Sequence, residues 1–78
     1  MVRVNNLKRL RKEQGFSMLG LEAVTGVSTA RIVGIERYNL YPGLSVRKRL
    51  SEALGVNEET IWPDLKENKD GEANINNQ

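Results

Sequence analysis

Apolar residues recur along the chain at three- and four-residue spacings, in short bursts that each end at a breaker. That is the period of an α-helix lying on a core, not the alternation of a strand. No period-two run is sustained, and no Asn-Gly or Asp-Gly pair marks a hairpin. Five helices follow. Helix 1 runs from Asn6 to Gln14 and stops at Gly15, with Leu7, Leu10, Arg11 and Gln14 on one face. Helix 2 runs from Met18 to Thr25 behind the N-cap Ser17 and stops at Gly26. Phe16 before the cap and Leu21 at the fourth helical position make a hydrophobic staple. Helix 3 runs from Thr29 to Tyr38 behind the N-cap Ser28, with Val27 and Ile32 repeating the staple. Helix 4 spans Val46 to Leu54, capped by Ser45 and ended by Gly55. Helix 5 spans Glu58 to Trp62. It is capped by Asn57, stapled by Val56 and Ile61, and carries Glu58 and Glu59 at its positive end, with Pro63 following.

The pattern stops at Leu65. Residues 66–78 hold one Ile and no other large apolar side chain, too little to offset ordering, so a disordered polar tail is expected there. The remaining 1–65 is one domain, consistent with 78 residues in all. A core of that size is marginal, and small scaffolds often add a disulfide, a metal or a second subunit. With no Cys and no His, disulfides and Cys/His zinc sites are excluded, and so are catalytic dyads and triads built on a thiol or imidazole. No Gly-rich phosphate loop is present among the seven dispersed glycines, and no enzyme, metal or cofactor is expected. Neither a secretory signal nor an apolar run of membrane-spanning length is seen, so the expected location is the cytoplasm.

Between helices 2 and 3 lie only Gly26, Val27 and Ser28. A three-residue turn with Gly between two amphipathic helices is the signature of a helix-turn-helix, here over 17–38. On a wheel of about 100° per residue, helix 3 turns Ile32 and Ile35 inward. Ala30, Val33, Gly34 and Arg37 point outward, with Thr29 and Arg31 at the borders. Small side chains on that outer face suit a helix that enters a DNA groove, because bulk would hold it away. The plain alternative is a surface helix of a small bundle. Glu36 lies beside Ile35, toward the core, and Arg11 lies in the equivalent place on helix 1. Two charges aimed at one core are costly apart, so an Arg11–Glu36 ion pair, at least partly buried, is expected. The alternative is two long side chains that snorkel past one another.

In order, the chain carries Leu7-x-x-Leu10-Arg11, Gly15-Phe16-Ser17, and Leu21 followed five residues on by Gly26-Val27-Ser28. Ile32-x-x-Ile35-Glu36-Arg37, then Pro42, then Ala53-Leu54-Gly55-Val56 complete the series. It resembles the phage Cro and lambda-repressor (XRE) type of helix-turn-helix protein over residues 6–65. The resemblance implies an all-α, compact five-helix lambda-repressor-like DNA-binding domain with helix 3 in the major groove, and the same helix 1 to helix 3 Arg–Glu pair. It implies base readout by Ser28, Thr29, Ala30, Val33, Gly34 and Arg37, and phosphate contacts near Ser17, Met18, Arg31, Asn39 and Tyr41. Tyr41, beside Pro42, could equally pack its loop. Departures from the family are Met18 for the usual Gln, Glu22 for the usual Ala, Tyr38 for the usual Gly, and Arg47 and Lys48 at often apolar places. Asn39 is expected to take the left-handed conformation in place of that Gly. Met18 and Glu22 together reduce the phosphate clamping implied at helix 2.

The reading is therefore a sequence-specific DNA-binding transcriptional regulator, a repressor by preference, acting on double-stranded DNA as a homodimer. Ile61, Trp62 and Leu65 either supply the dimer surface or close the monomer core. Two alternatives stand beside it. One is an antitoxin-type regulator that holds a toxin protein through helix 5 or the acidic tail. The other is a protein-docking module using Met18, Leu19 and Glu22. Charge sharpens the first reading. The net +2 divides into ten basic and four acidic residues over 1–57, and two basic and six acidic over 58–78. A basic body with an acidic end is a nucleic-acid cue.

Overall fold

In a computed structural model of the chain, residues 5–65 are described. The tail expected over 66–78 lies outside them. The apolar stripes condense into five helices, with no strand among the described residues: α1 (Leu7–Glu13), α2 (Met18–Thr25), α3 (Thr29–Tyr38), α4 (Leu44–Leu54) and α5 (Glu58–Ile61). α2 packs on α3 and α4, α1 on α3, and α4 on α5. One core results, made of Leu7, Leu10, Leu21, Val27, Ile32, Ile35, Leu50, Leu54, Ile61, Trp62 and Leu65.

The caps explain where most helices begin. Ser17 Oγ accepts from Gly20 N at 2.9 Å and Ser28 Oγ from Arg31 N at 3.2 Å, so both serines cap as expected. α1 starts at Leu7, one residue later than expected, because the Asn5 side chain accepts the Leu7 N–H at 3.1 Å. Helix 4 differs more. It starts at Leu44, and Gly43 rather than Ser45 is its N-cap. The Gly43 carbonyl accepts the first intrahelical bond from Arg47 N at 3.0 Å, leaving Ser45 exposed inside the first turn. A glycine cap gives up only a few tenths of a kcal/mol relative to serine, so two extra helical residues are gained at little cost. Asn57 stands at the N-cap of α5, but its side chain makes no capping bond, and the helix ends at Ile61 with Trp62 beyond it.

The three apolar residues at the end of the ordered pattern close the core. Ile61, Trp62 and Leu65 are buried within the chain, so they do not offer a surface to a second subunit or a protein partner. The Trp62 ring also meets Tyr41 edge-on, centroids 6.2 Å apart. Around that contact, Arg47 lies 5.0 Å from the Tyr41 ring centroid and donates to the Pro42 carbonyl at 3.0 Å and to Glu58 at 3.1 Å. The arginine that stands where apolar residues are usual is thus a clamp on the loop after α3.

Two seams join distant parts of the chain. Asn6 donates to α5 through its backbone N–H to Ile61 O at 2.8 Å and through its side chain to Thr60 O at 2.9 Å. Asn5 Nδ2 donates to Ile35 O and to Asn39 Oδ1, both at 2.9 Å. Asn39 itself ends α3 in the left-handed conformation, with φ 54°, as its place in the sequence predicts. Asn39→Ala is expected to lower stability by about 1–2 kcal/mol, through the left-handed backbone and the lost bond to Asn5. Asn39→Gly, which keeps the backbone freedom, should lose less. Urea unfolding midpoints of the two variants check the order.

Candidate nucleic-acid interface

The α2–α3 unit is built locally. Thr25 Oγ1 donates to Leu21 O at 2.7 Å and accepts the Val27 N–H at 3.0 Å, which draws the turn across the end of α2. Gly26 holds φ 77°, a left-handed value that glycine takes without strain, and sends its N–H to Glu22 O at 2.8 Å. Val27 then drops into the core, and α3 leaves at 120° to α2. That is the crossing expected of a helix-turn-helix.

Behind α3, the arginine and glutamate at the core meet. Arg11 Nε lies 2.7 Å from Glu36 Oε2, and Nη2 donates to Oε1 at 3.1 Å, a bidentate pair. The third donor, Nη1, reaches Phe16 O at 2.8 Å. The two side chains are 6% and 1% exposed, so the pair is buried rather than partly so. The Glu36 hydrogen bond and charge raise the Arg11 pKa above the ordinary arginine value, against desolvation. This pair fixes α3 against α1 and against the residues leading into α2.

On the other side, α3 leaves Ser28, Ala30, Arg31 and Arg37 exposed and Thr29 and Val33 half-buried. Arg31 and Arg37 make no ion pair among the described residues. An open hollow flanks the first half of the helix, lined by Ser28, Ala30, Arg31, Leu40, Tyr41 and Pro42 among others. Gly34 does not belong to this face. It is buried, and a Cβ placed on it would stand 2.6 Å from Leu40 Cδ1. The chain folds back over it because the N–H groups of Asn39 and Leu40 both return to the Gly34 carbonyl. The wheel put Gly34 outward because it counts only residues within the helix, and the cover comes from beyond its end.

The flanking candidates divide by what already holds them. Ser17 and Ser28 accept from their own helices as caps, and each hydroxyl keeps its proton for an outside acceptor. Met18 is half-buried against the core, so its side chain serves packing. Asn39 Oδ1 is taken by Asn5, which leaves its amide N–H groups to donate outward. Tyr41 is held by Trp62 and Arg47, the loop-packing role that its place beside Pro42 allowed.

Glu22 stands in the sequence as a departure from the family and as part of the alternative docking surface, and the structure gives it another role. Glu22 Oε1 accepts the Thr29 N–H at 3.0 Å and also the Thr29 hydroxyl in a short hydrogen bond. A carboxylate from α2 thus occupies the first free N–H of α3 and part of its positive end. With Arg31 N taken by Ser28, the free backbone donor left in the first turn of α3 is the Ala30 N–H. The seven-residue spacing across a turn carries no recognised signal, and only the geometry reveals the bond.

A family model described as helix-turn-helix matches residues 7–61 of the chain. No curated protein matches it.

Proposed function

The chain belongs to the Cro/C1-type helix-turn-helix family, a DNA-binding regulatory family, and on that premise we propose that it is a sequence-specific transcriptional repressor that occupies its operator with α3 in the major groove. The observation that carries this reading is the outer face of α3, where small side chains and two unpaired arginines stand on a helix locked from behind by a buried ion pair. Ala30, Val33 and the Thr29 methyl group suit thymine methyls, and Arg37 suits guanine O6 and N7. Arg31, the Ser17 and Ser28 hydroxyls, the Met18 N–H and the Asn39 amide suit phosphates. With one strong base reader, shape and deformability of the site share in the selection. A single module has a small footprint, so we infer a two-fold dimer on half-sites about 34–36 Å apart. The buried α5 side chains speak against that helix as the apolar dimer seam.

Selection of bound sequences from random duplexes, followed by salt titration, tests the reading. Two variants sharpen it. Arg31→Ala should weaken binding to all sequences alike and reduce the slope of log K against log salt by about one. Arg37→Ala should cost about 1–3 kcal/mol on the selected site and relax preference at one position. If both variants bind the selected site as the parent does at low salt, α3 is not the reader.

A further inference from the structure

The bond that ties α2 to α3 also decides what the first residue of α3 can recognise. A threonine hydroxyl has one proton to give and two lone pairs to accept with. Here the proton goes to Glu22 Oε1, and the same oxygen takes the Thr29 backbone N–H at 3.0 Å. Toward any further partner, Thr29 Oγ1 is left as an acceptor only. The second carboxylate oxygen, Glu22 Oε2, makes no hydrogen bond among the described residues, so it too can only accept. At Thr29 the entry to α3 therefore presents acceptors and a negative charge, beside the Ser28 hydroxyl, which keeps its proton, although the surrounding body is basic.

In the major groove the donors are the amino groups, cytosine N4 and adenine N6, while guanine O6 and N7 and thymine O4 are acceptors. We propose that Glu22 is a specificity-determining positioning residue: it holds Thr29 as an acceptor that selects cytosine or adenine over guanine or thymine on the contacted strand at one base pair. The inference rests on the reading of α3 as the groove helix. Because each base pair shows one amino group in the major groove, the choice is one of orientation within the pair. The same carboxylate repels phosphate from the N-terminus of α3. That penalty falls on every duplex alike, and only a site with an amino group in register offsets it through the hydrogen bond to Thr29.

The test is site selection from random duplexes with the full chain, for the parent, Thr29→Val, Thr29→Ser and Glu22→Ala, each checked for folding by its thermal melt. The parent should prefer C or A at one half-site position. Thr29→Val, which keeps the shape but not the hydroxyl, should reduce that preference by about three- to tenfold, the value of one hydrogen bond, while other positions keep theirs. Thr29→Ser should restore it. Glu22→Ala should reduce the same preference and raise affinity for unrelated duplex by up to about fivefold at low salt, as one nearby like charge is removed. Thr29→Val and Glu22→Ala proteins that keep the parental preference at every position overturn the proposal and leave the groove reading standing. So does a parent that prefers G or T where Thr29→Val relaxes. A parent that selects no sequence overturns both.

Discussion

Arg11→Ala is expected to lower the unfolding free energy by about 3–5 kcal/mol, the cost of stripping one partner from a buried ion pair. The remaining Glu36 side chain is 1% exposed, so water cannot replace the two guanidinium bonds. Phe16 O loses its donor in the same step. A domain of roughly sixty residues has about 3–9 kcal/mol of stability in total, so much of the variant would be unfolded at growth temperature. The cost comes from the orphaned charge, and it is separable from any general need for charge there. Arg11→Met combined with Glu36→Leu removes both charges and should recover most of the loss, because a buried pair gains little over apolar side chains of similar size. Urea unfolding of the single and double variants measures the difference. If the double variant is no more stable than the single, the orphaned carboxylate is not the cause. Alkali offers no shortcut to the same result. The Arg11 pKa is raised in the fold, so its contribution is fully present below the ordinary arginine pKa and is lost as pH climbs from there through the raised value. Stability owed to this charge should stay level from neutral to mildly alkaline solution.

Trp62→Ala should cost a similar amount, about 3–5 kcal/mol. The ring is 1% exposed, and it is the largest of the fully buried side chains. It closes the core from beyond the end of α5 and supports Tyr41, so its loss opens a cavity beneath the loop that follows α3. Trp62→Phe separates volume from hydrogen bonding. Among the described residues the indole Nε1 is a buried donor without a partner, so phenylalanine sacrifices packing but no hydrogen bond. Its loss should be clearly smaller, about 1–2 kcal/mol. Melting curves followed by helical circular dichroism give the ranking, since the variants have lost the sole tryptophan. Equal losses for Ala and Phe would place the importance of Trp62 in its N–H instead of its bulk.

What the sequence foretold and what it hid divide along the range of the interaction. The caps of α2 and α3, the left-handed Asn39 and the meeting of Arg11 with Glu36 follow from neighbours a few residues apart or from the faces of single helices. Periodicity therefore predicts them. Gly34 was misplaced because Leu40, which covers it, lies beyond the helix. The start of α4 was missed because serine is a better cap than glycine in isolation, and local preference yielded to the Pro42–Gly43 turn clamped by Arg47. The Glu22–Thr29 bond, the Asn5 contacts and the Arg47 clamp depend on how elements lie on one another. No pattern in a single sequence encodes those distances. For the candidate interface this means that the face of α3 was legible, whereas the polar groups already engaged within the chain were not. Those engagements determine which atoms remain to meet DNA.

The hydrogen bonds from Asn6 to Thr60 and Ile61 bring the beginning and the end of the described residues side by side. Topologically, the fold is almost a closed ring. Asn6 and Ile61 are in hydrogen-bond contact, so a chain rejoined near these residues could be opened instead at the exposed Gly15, making α1 the last helix in place of the first. Closely spaced termini are what make such circular permutation tolerable. The architecture depends on which helices touch, and the order in which a ribosome delivers them is secondary to it.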